Sequence, residues 1–375
     1  MHAVLTGHGG PSQLPSFSRW RVTGQLGAIR QGRQHACSPL GRPARQNKRN
    51  EATILDKTDH PDEIFHYTSI GGLLGIIQSK CLHASHIEFM NDRMEMRYAD
   101  DLIRPLLVPA FRECFSHLQR QVVMTGGFDM DWLCEHEASN LLAAIRRTSN
   151  RLAPLFVVSF CRATSAEIAS DGLLSQWRGY GVDGGVAIVF DQRGISTLIE
   201  SERAKFQLAT ISFGDVIYGP NDPEFESIIP NLELYKSAAA TIIEMTMNTT
   251  AAKNLLEHFP KVPLEELFQP YSSVQPMLKH PSFREENEYR LTLSVGKNGF
   301  VESDSLAEKG VKFKQRGNYL IPYIELHSND GPALPILRVI VGPSVEGERR
   351  RDSVEMLLRE HGHSIPVSLS KIPLT

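Results

Sequence analysis

Two short apolar runs constrain the fold of this chain most strongly. They are LFVVSFC at 155–161 and GGVAIVFD at 184–191. Runs of this length, rich in β-branched and aromatic residues and bounded by turn residues, are typical of buried strands. They therefore predict a sheet at the centre of the molecule.

Weaker patterns around these two runs predict the other elements. Further strands are expected at Ile64–Thr68, Cys81–Ala84, Gln207–Phe213, Glu288–Val295, Tyr319–Leu326 and Ile336–Gly342. Helices are expected at 71–80, 93–121, 139–149, 222–258, 263–279 and 350–360, with a short one ending at Trp177 and an irregular stretch at 124–136. Strands and helices do not alternate regularly, which favours an α+β fold over a doubly wound sheet. No glycine-rich phosphate loop is present.

Charge is distributed unevenly along the chain. Residues 1–50 contain eight basic and no acidic side chains, so the formal net charge of -3 leaves -11 for the remainder. The first ~55 residues are rich in Gly, Pro, Ser, Gln and Arg and show no periodicity, which predicts disorder. We expect a disordered basic extension at 1–58 and one α+β domain at 59–375, with helical insertions at about 92–150 and 222–279. The acidic body gives no general attraction to nucleic acid, although a local basic groove stays open as an alternative.

Cysteine usage and hydropathy indicate the compartment. The five cysteines are odd in number, scattered and without a CxxC pair. This pattern favours a reducing, cytoplasmic location, and it argues against a disulfide framework and against a zinc site. No apolar run approaches the ~20 residues of a transmembrane helix, so no membrane partner is expected.

The first candidate site is the strand that contains His66. Alternation along a strand places His66 and Thr68 on one face and two aromatic side chains, Phe65 and Tyr67, on the other. A polar pair on one face suits a strand that lines a cleft. A hydrogen-bonded core histidine is the alternative interpretation.

The second candidate site is the segment SQWRGYG at 175–181. Glycines on both sides of Tyr180 allow its ring to stand exposed, as a platform for a planar ligand. Trp177 lies one helical turn earlier and either joins that platform or anchors the core. Arg178 is a candidate partner for an anionic group.

The third candidate site is the charged segment before the strand LTLSV. On an extended backbone Glu286, Glu288 and Arg290 share one face. Two neighbouring carboxylates repel each other, which predicts a raised pKa for one of them. A solvated edge strand with surface ion pairs is the alternative.

Five ordered motifs resemble a bacterial family known as domain of unknown function 2971. They are HYTS at 66–69, N-D-x-x-E at 91–95, WxxY at 177–180 before a strand that ends in FD, FxxExEYR at 283–290, and VIVGP at 339–343. The resemblance covers most of residues 63–345 and excludes the N-terminal segment. The family's description implies no activity.

The same segments also resemble, more distantly, ADP-ribosyltransferases, which bind NAD with His, Tyr and Glu in that chain order. The resemblance implies a mixed or antiparallel split sheet with flanking helices and no metal. It implies that His66 binds the NAD ribose, that Tyr180 contacts nicotinamide, and that Arg178 or Arg290 pairs with the pyrophosphate. Thr68 and Trp177 are further candidates for binding the cofactor. It further implies that Glu288 stabilises the ribose cation and that Glu286 orients or deprotonates the acceptor. Three departures from the family pattern are the absence of a Ser-Thr-Ser strand, the presence of Trp177 without an obvious equivalent, and Tyr67 at a position where Gly is common.

Three functions remain open at this stage. The first is an NAD-consuming transferase or glycohydrolase in a toxin or phage-defence setting, with a nucleotide as substrate and a macromolecule as acceptor. The second is a non-catalytic sensor that binds a nucleotide or a protein. The third is a metal-dependent nucleic-acid enzyme that uses Glu286 and Glu288.

Overall fold

The computed structural model describes the chain in segments. The described residues are 5–6, 62–90, 94–121, 124–125, 129–180, 185–228, 232–247, 250–259, 273–297, 306–327 and 333–373. They belong to one compact unit that comprises residues 1–8 and 58–375. The disorder predicted for residues 1–58 falls almost entirely outside the described residues, as does the N-D pair at 91–92.

Twelve strands and ten α-helices are found among the described residues. The strands are β1 (Leu5–Thr6), β2 (Glu63–Thr68), β3 (Cys81–His86), β4 (Met124–Thr125), β5 (Leu155–Cys161), β6 (Val186–Asp191), β7 (Leu208–Asp215), β8 (Glu288–Val295), β9 (Lys312–Arg316), β10 (Tyr319–His327), β11 (Ile336–Val341) and β12 (Val367–Leu369). The helices are α1 (Ile70–Ser79), α2 (Met94–Gln121), α3 (Met130–Leu152), α4 (Ala166–Asp171), α5 (Leu174–Tyr180), α6 (Gln192–Lys205), α7 (Phe225–Ile228), α8 (Leu232–Met247), α9 (Thr250–His258) and α10 (Gly347–Glu360). Three short 3₁₀ turns lie at Ile87–Phe89, Gln275–Met277 and Pro281–Glu286.

Ten of the strands form one mixed, open sheet. Its main path runs in the order β12-β11-β6-β2-β5-β3-β10-β9, and β8 pairs with both β5 and β7. Strand β5 pairs with three other strands of this sheet. It pairs with β8 along its whole length, but with β2 only at Phe65–Cys161 and with β3 only at two positions. The predicted α+β class with a mixed sheet is thereby confirmed.

The two faces of the sheet are packed differently. One face holds the larger core, which includes Ile64 of β2, Phe160 of β5 and Tyr289 of β8, together with apolar residues of α1, α6 and α10. The other face holds a smaller cluster that includes Phe65 and Tyr67 of β2, Cys161 of β5, and Trp177. These two faces, called the large-core face and the Trp177 face below, decide which site residues can meet.

Helix α1 begins where the sequence predicts it. The Ser69 hydroxyl accepts a hydrogen bond from the backbone N–H of Gly72 at 3.1 Å, which caps the first turn. Leu73, Ile76 and Ile77 of this helix are buried, whereas Leu74 is exposed.

The other predicted elements mostly agree with the structure. The helix predicted from residue 93 is α2, and the predicted strands at 288–295, 319–326 and 336–342 are β8, β10 and β11. The irregular stretch predicted at 124–136 is wrong in its second half, because Asp129 caps the N-terminus of α3 through the backbone N–H groups of Asp131 and Trp132. Strands β9 and β12 were not predicted. None of the described helices combines the length and apolar character that crossing a bilayer requires.

Candidate functional site

A buried cluster of four charged side chains lies at the start of β8. The Lys279 ammonium donates to Glu286 Oε2 at 2.7 Å and to Glu288 Oε2 at 2.8 Å. Arg290 donates to both oxygens of Glu288, from Nε at 2.5 Å and from Nη2 at 2.9 Å. The two cations balance the two carboxylates, so the four side chains, called the Glu288 cluster below, are neutral as a group.

The local sequence explains how this cluster forms. Glu288 and Arg290 are two residues apart on β8, so they share a face, as the sequence predicts. Glu286 is not on the strand: it ends the 3₁₀ turn Pro281–Glu286, and Asn287 adopts the left-handed conformation with φ 42°. The predicted shared face is therefore wrong for Glu286, which shares the Lys279 ammonium with Glu288.

Burial and charge set the ionisation of Glu288. Its side chain is 4% exposed, and this burial raises the pKa of the carboxyl group. The charges and hydrogen bonds of Arg290 and Lys279 act in the opposite direction and outweigh burial, so the pKa falls to about 2. The predicted repulsion between carboxylates thus does not raise the pKa of Glu288, because the structure places two cations beside it.

Strand β8 holds the cluster rigidly. All eight of its residues are buried, since β5 and β7 pair with its two edges. Arg290 also donates from Nη1 to the carbonyl of Pro276 at 2.7 Å, which ties the strand to the 3₁₀ turn Gln275–Met277. The alternative of a solvated edge strand is wrong.

A cavity of about 660 Å³ adjoins the Glu288 cluster. Its lining residues come from the end of β7 and the chain after it, from 273–277, and from the start of β8: Ser212, Phe213, Gly214, Asp215, Val216, Ile217, Tyr218, Asp222, Glu224, Ser273, Val274, Met277, Arg284, Asn287 and Glu288. We call it the Tyr218 cavity. Glu288 is the member of the cluster that lines it.

Tyr218 connects the cavity wall to the Glu288 cluster. Its phenol oxygen accepts a hydrogen bond from the backbone N–H of Glu288 at 2.8 Å. Burial raises the pKa of Tyr218, so the phenol is neutral and its proton is available for donation. Arg284 lies over the Tyr218 ring and donates from Nη2 to the Tyr218 carbonyl at 3.2 Å, within reach of Asp222 at 3.4 Å.

Sequence reasoning missed Lys279, Tyr218, Asp222 and Arg284. Lys279 directly precedes the predicted charged segment, and Arg284 lies inside it, so a signal existed for these two. Tyr218 and Asp222 carry no motif, and only the pairing of β7 with β8 brings them to the cavity.

His66 lies on the other face of the sheet from Glu288. It pairs with Ile188, a member of the large core, whereas Glu288 pairs with Cys161 of the Trp177 face. The structure therefore does not bring His66 and Glu288 to one face. Thr68 follows His66 on the large-core face and contacts Gly72, where an added Cβ would collide with the threonine side chain.

The ring of His66 is held by the backbone of β5. Its Nδ1 lies 2.9 Å from the carbonyl oxygen of Ser159, a contact that requires the proton on Nδ1. Burial lowers the pKa of His66, and the charge of Lys314 lowers it further, despite the hydrogen bond to Ser159. His66 is therefore a neutral, partly buried histidine.

The segment 174–180 divides into a buried and an exposed part. Trp177 is 5% exposed, packs edge-on against Tyr67, and donates from Nε1 to the carbonyl of Asp171 at 2.9 Å, so it anchors the core. Tyr180 ends α5 with 40% of its surface exposed, and Arg178 is also exposed. The two aromatic rings therefore do not form one platform. The roles predicted for Arg178 and Tyr180 stay predictions.

The fold and the site define an α+β protein with an open mixed sheet and a ligand-sized cavity beside a buried ion-pair cluster. Residues 176–291 match a family described as "Protein of unknown function (DUF2971)". This match supports the family predicted from the ordered motifs, over this segment of the chain. The matched segment contains Trp177, Tyr180, Glu286, Glu288 and Arg290, but not His66. No curated protein and no solved structure matches the chain.

Proposed function

We propose that this protein is an NAD-consuming enzyme, a transferase or a glycohydrolase, that binds the dinucleotide in the Tyr218 cavity. One observation carries the proposal: Glu288, whose buried carboxylate is paired with Arg290 and Lys279, lines a cavity of about 660 Å³. Small-molecule sites are typically cavities of about 300–1,000 Å³ with a few converging polar groups. The ADP-ribosyltransferase-like split sheet implied by the sequence belongs to the same proposal.

The chemistry of NAD cleavage suits an ionised carboxylate. Hydrolysis converts NAD and water to nicotinamide, ADP-ribose and a proton, as the bond between the ribose carbon and the nicotinamide nitrogen breaks. The electron pair of that bond leaves with nicotinamide, so positive charge develops on the ribose. A fixed negative charge stabilises this transition state without having to reorganise. With a pKa of about 2, Glu288 carries that charge throughout the physiological pH range.

The lining of the cavity supports a nucleotide as the ligand. Arg284 is half-exposed, and both of its hydrogen bonds described above come from Nη2. A guanidinium has five N–H donors in a planar fork that matches phosphate oxygens. Arg284 would pair with the pyrophosphate, and the Tyr218 and Asn287 side chains would contact ribose hydroxyl groups.

Glu286 is the group that would act on the acceptor. Its side chain is 18% exposed and shares the Lys279 ammonium with Glu288. A carboxylate that solvent reaches can accept a proton from the attacking water or hydroxyl. The proposal gives no role in the cavity to His66, which lies on the opposite face of the sheet.

A non-catalytic nucleotide-binding module is the second candidate. The observation that favours it is that both Glu288 oxygens already accept hydrogen bonds from Arg290 and Lys279. A ribose hydroxyl would have to share these oxygens with two cations. A divalent metal at Glu286 and Glu288 would have to displace Lys279 from both carboxylates, so a metal-dependent nucleic-acid enzyme is not proposed.

Nicotinamide release from NAD tests the proposal. We expect the wild-type protein to release nicotinamide, and Glu288→Gln to lower the rate at least about 100-fold, the scale at which one electrostatic group in an active site acts. Glu285→Gln is the matched control, since Glu285 is an exposed neighbour in the same turn. Circular dichroism of each variant establishes that it is folded.

Four outcomes separate the candidates. Release by the wild type that Glu288→Gln abolishes and Glu285→Gln preserves supports the enzyme. Binding of NAD without release supports the module instead. Neither binding nor release would exclude both, and equal release by wild type and Glu288→Gln would remove Glu288 from the mechanism.

A further inference from the structure

A second cluster with distinct chemistry lies on the β3–β10 strand pair. Cys81 and His83 occupy alternate positions of β3, and Glu325 of β10 is the register partner of His83. Alternation therefore puts all three side chains on one face of the pair. A cysteine sulfur, a histidine nitrogen and a carboxylate oxygen lie within 4.8 Å of one another.

We propose that Cys81, His83 and Glu325 form a binding site for a divalent transition metal, with zinc as the ion that the ligands suit best. Zinc accepts thiolate, imidazole and carboxylate ligands at about 2.0–2.3 Å. Ligands around one such ion stand about 3–4 Å apart, so small side-chain rotations close the site. Three protein ligands leave one tetrahedral position for water or a further ligand.

The surroundings already supply a second layer of contacts. The Ser79 hydroxyl lies 3.0 Å from the Cys81 sulfur, which donates to it, and 3.5 Å from His83 Nε2. The His83 ring also packs against the Tyr323 ring, with centroids 4.6 Å apart. Such neighbours orient metal ligands and tune their affinity.

The charges at the site remain balanced if a divalent metal ion replaces the thiol proton of Cys81 and the ammonium group of Lys312. In the structure Glu325 pairs with the Lys312 ammonium at 2.5 Å, and the Cys81 thiol donates its proton to the Ser79 hydroxyl in a hydrogen bond. Binding of a dication would release the thiol proton to water and form the metal–sulfur bond. It would also displace Lys312, whose side chain is 57% exposed and can move into solvent. The thiolate, the carboxylate and the dication then sum to zero charge.

The sequence contains no metal-binding motif at these positions. Cys81 and His83 are separated by one residue, and the third ligand comes from a strand near the other end of the chain. Only the antiparallel pairing of β3 with β10 assembles it. The absence of a CxxC pair therefore does not argue against this kind of site.

Cobalt spectroscopy tests the site on the full-length protein. After dialysis against a chelator, addition of Co²⁺ should give one equivalent of bound ion with a sulfur-to-cobalt charge-transfer band in the near ultraviolet. Zn²⁺ should displace the cobalt and remove the band. Cys81→Ser should abolish the band, and Glu325→Gln should weaken binding at least about tenfold, the scale of even outer-shell changes.

Two further variants protect the test from a folding artefact. Cys134→Ser removes another buried cysteine, on α3, and should leave the band unchanged. Lys312→Ala removes the ammonium that competes for Glu325 and should tighten Co²⁺ binding. The proposal is overturned if no charge-transfer band forms, if the band survives in Cys81→Ser, or if Lys312→Ala leaves the affinity unchanged.

Discussion

At the scale of single residues, Glu288 shows how a buried charge is maintained. Burial alone favours the neutral acid, and only the adjacent Arg290 and Lys279 make the ionised form the stable one. The sequence revealed two of these three groups on one strand face. Lys279 lies next to the charged segment in the sequence, but its contact with Glu288 crosses a turn that ends at the left-handed Asn287, and no local pattern predicts that contact.

The lowered pKa of Glu288 makes stability depend on pH. The folded-state pKa is about 2 and the ordinary value is 4.5, so the stabilisation is complete above 4.5. It is lost as the pH falls through this interval, because the unfolded chain then binds the proton first. We expect the free energy of unfolding of Glu288→Gln, measured with urea, to vary less between pH 4.5 and pH 3 than that of the wild type. Parallel pH profiles of the two proteins would contradict the account.

At the scale of elements, β8 is the strand on which the site depends. It pairs with β5 through seven positions and with β7 on its other edge, and every residue in it is buried. Its bounds were predicted correctly, because the apolar run LTLSV follows a charged segment and ends before glycine. Strand β9 carried no such signal, since all five of its residues are exposed.

A core truncation on β8 measures how much this strand contributes. Leu293 is fully buried between its two neighbours, so Leu293→Ala should lower the free energy of unfolding by about 2–5 kcal/mol. Leu320→Ala on β10 is the matched control, because Leu320 is 59% exposed and its loss should cost less than about 0.5 kcal/mol. Urea unfolding gives both values. Similar losses for the two variants would show that β8 is not part of the stable core.

At the scale of the whole molecule, strand pairing places His66 and Glu288 on opposite faces of the sheet, although the sequence assigned them to one site. Local patterns placed His66, Tyr180 and Glu288 correctly at element ends and strand positions. They could not show that β2 meets β5 at one residue pair, or that His66 and Glu288 then lie on opposite faces. Strand pairing of distant segments is decided by packing of the complete core, so it is not encoded in any one segment. The Tyr218 cavity likewise depends on the pairing of β7 with β8, which brings its two lining segments together.

Calorimetric titration with NAD tests the central claim most directly, in the wild type and in a variant whose cavity is filled. Ser212 lines the Tyr218 cavity, so Ser212→Trp should occupy part of it, whereas Thr197→Trp places the same ring on the exposed side of α6. The account predicts that NAD binds to the wild type and to Thr197→Trp with equal affinity, and at least about tenfold more weakly to folded Ser212→Trp. Absence of NAD binding to the wild type, or equal binding to all three proteins, would contradict it.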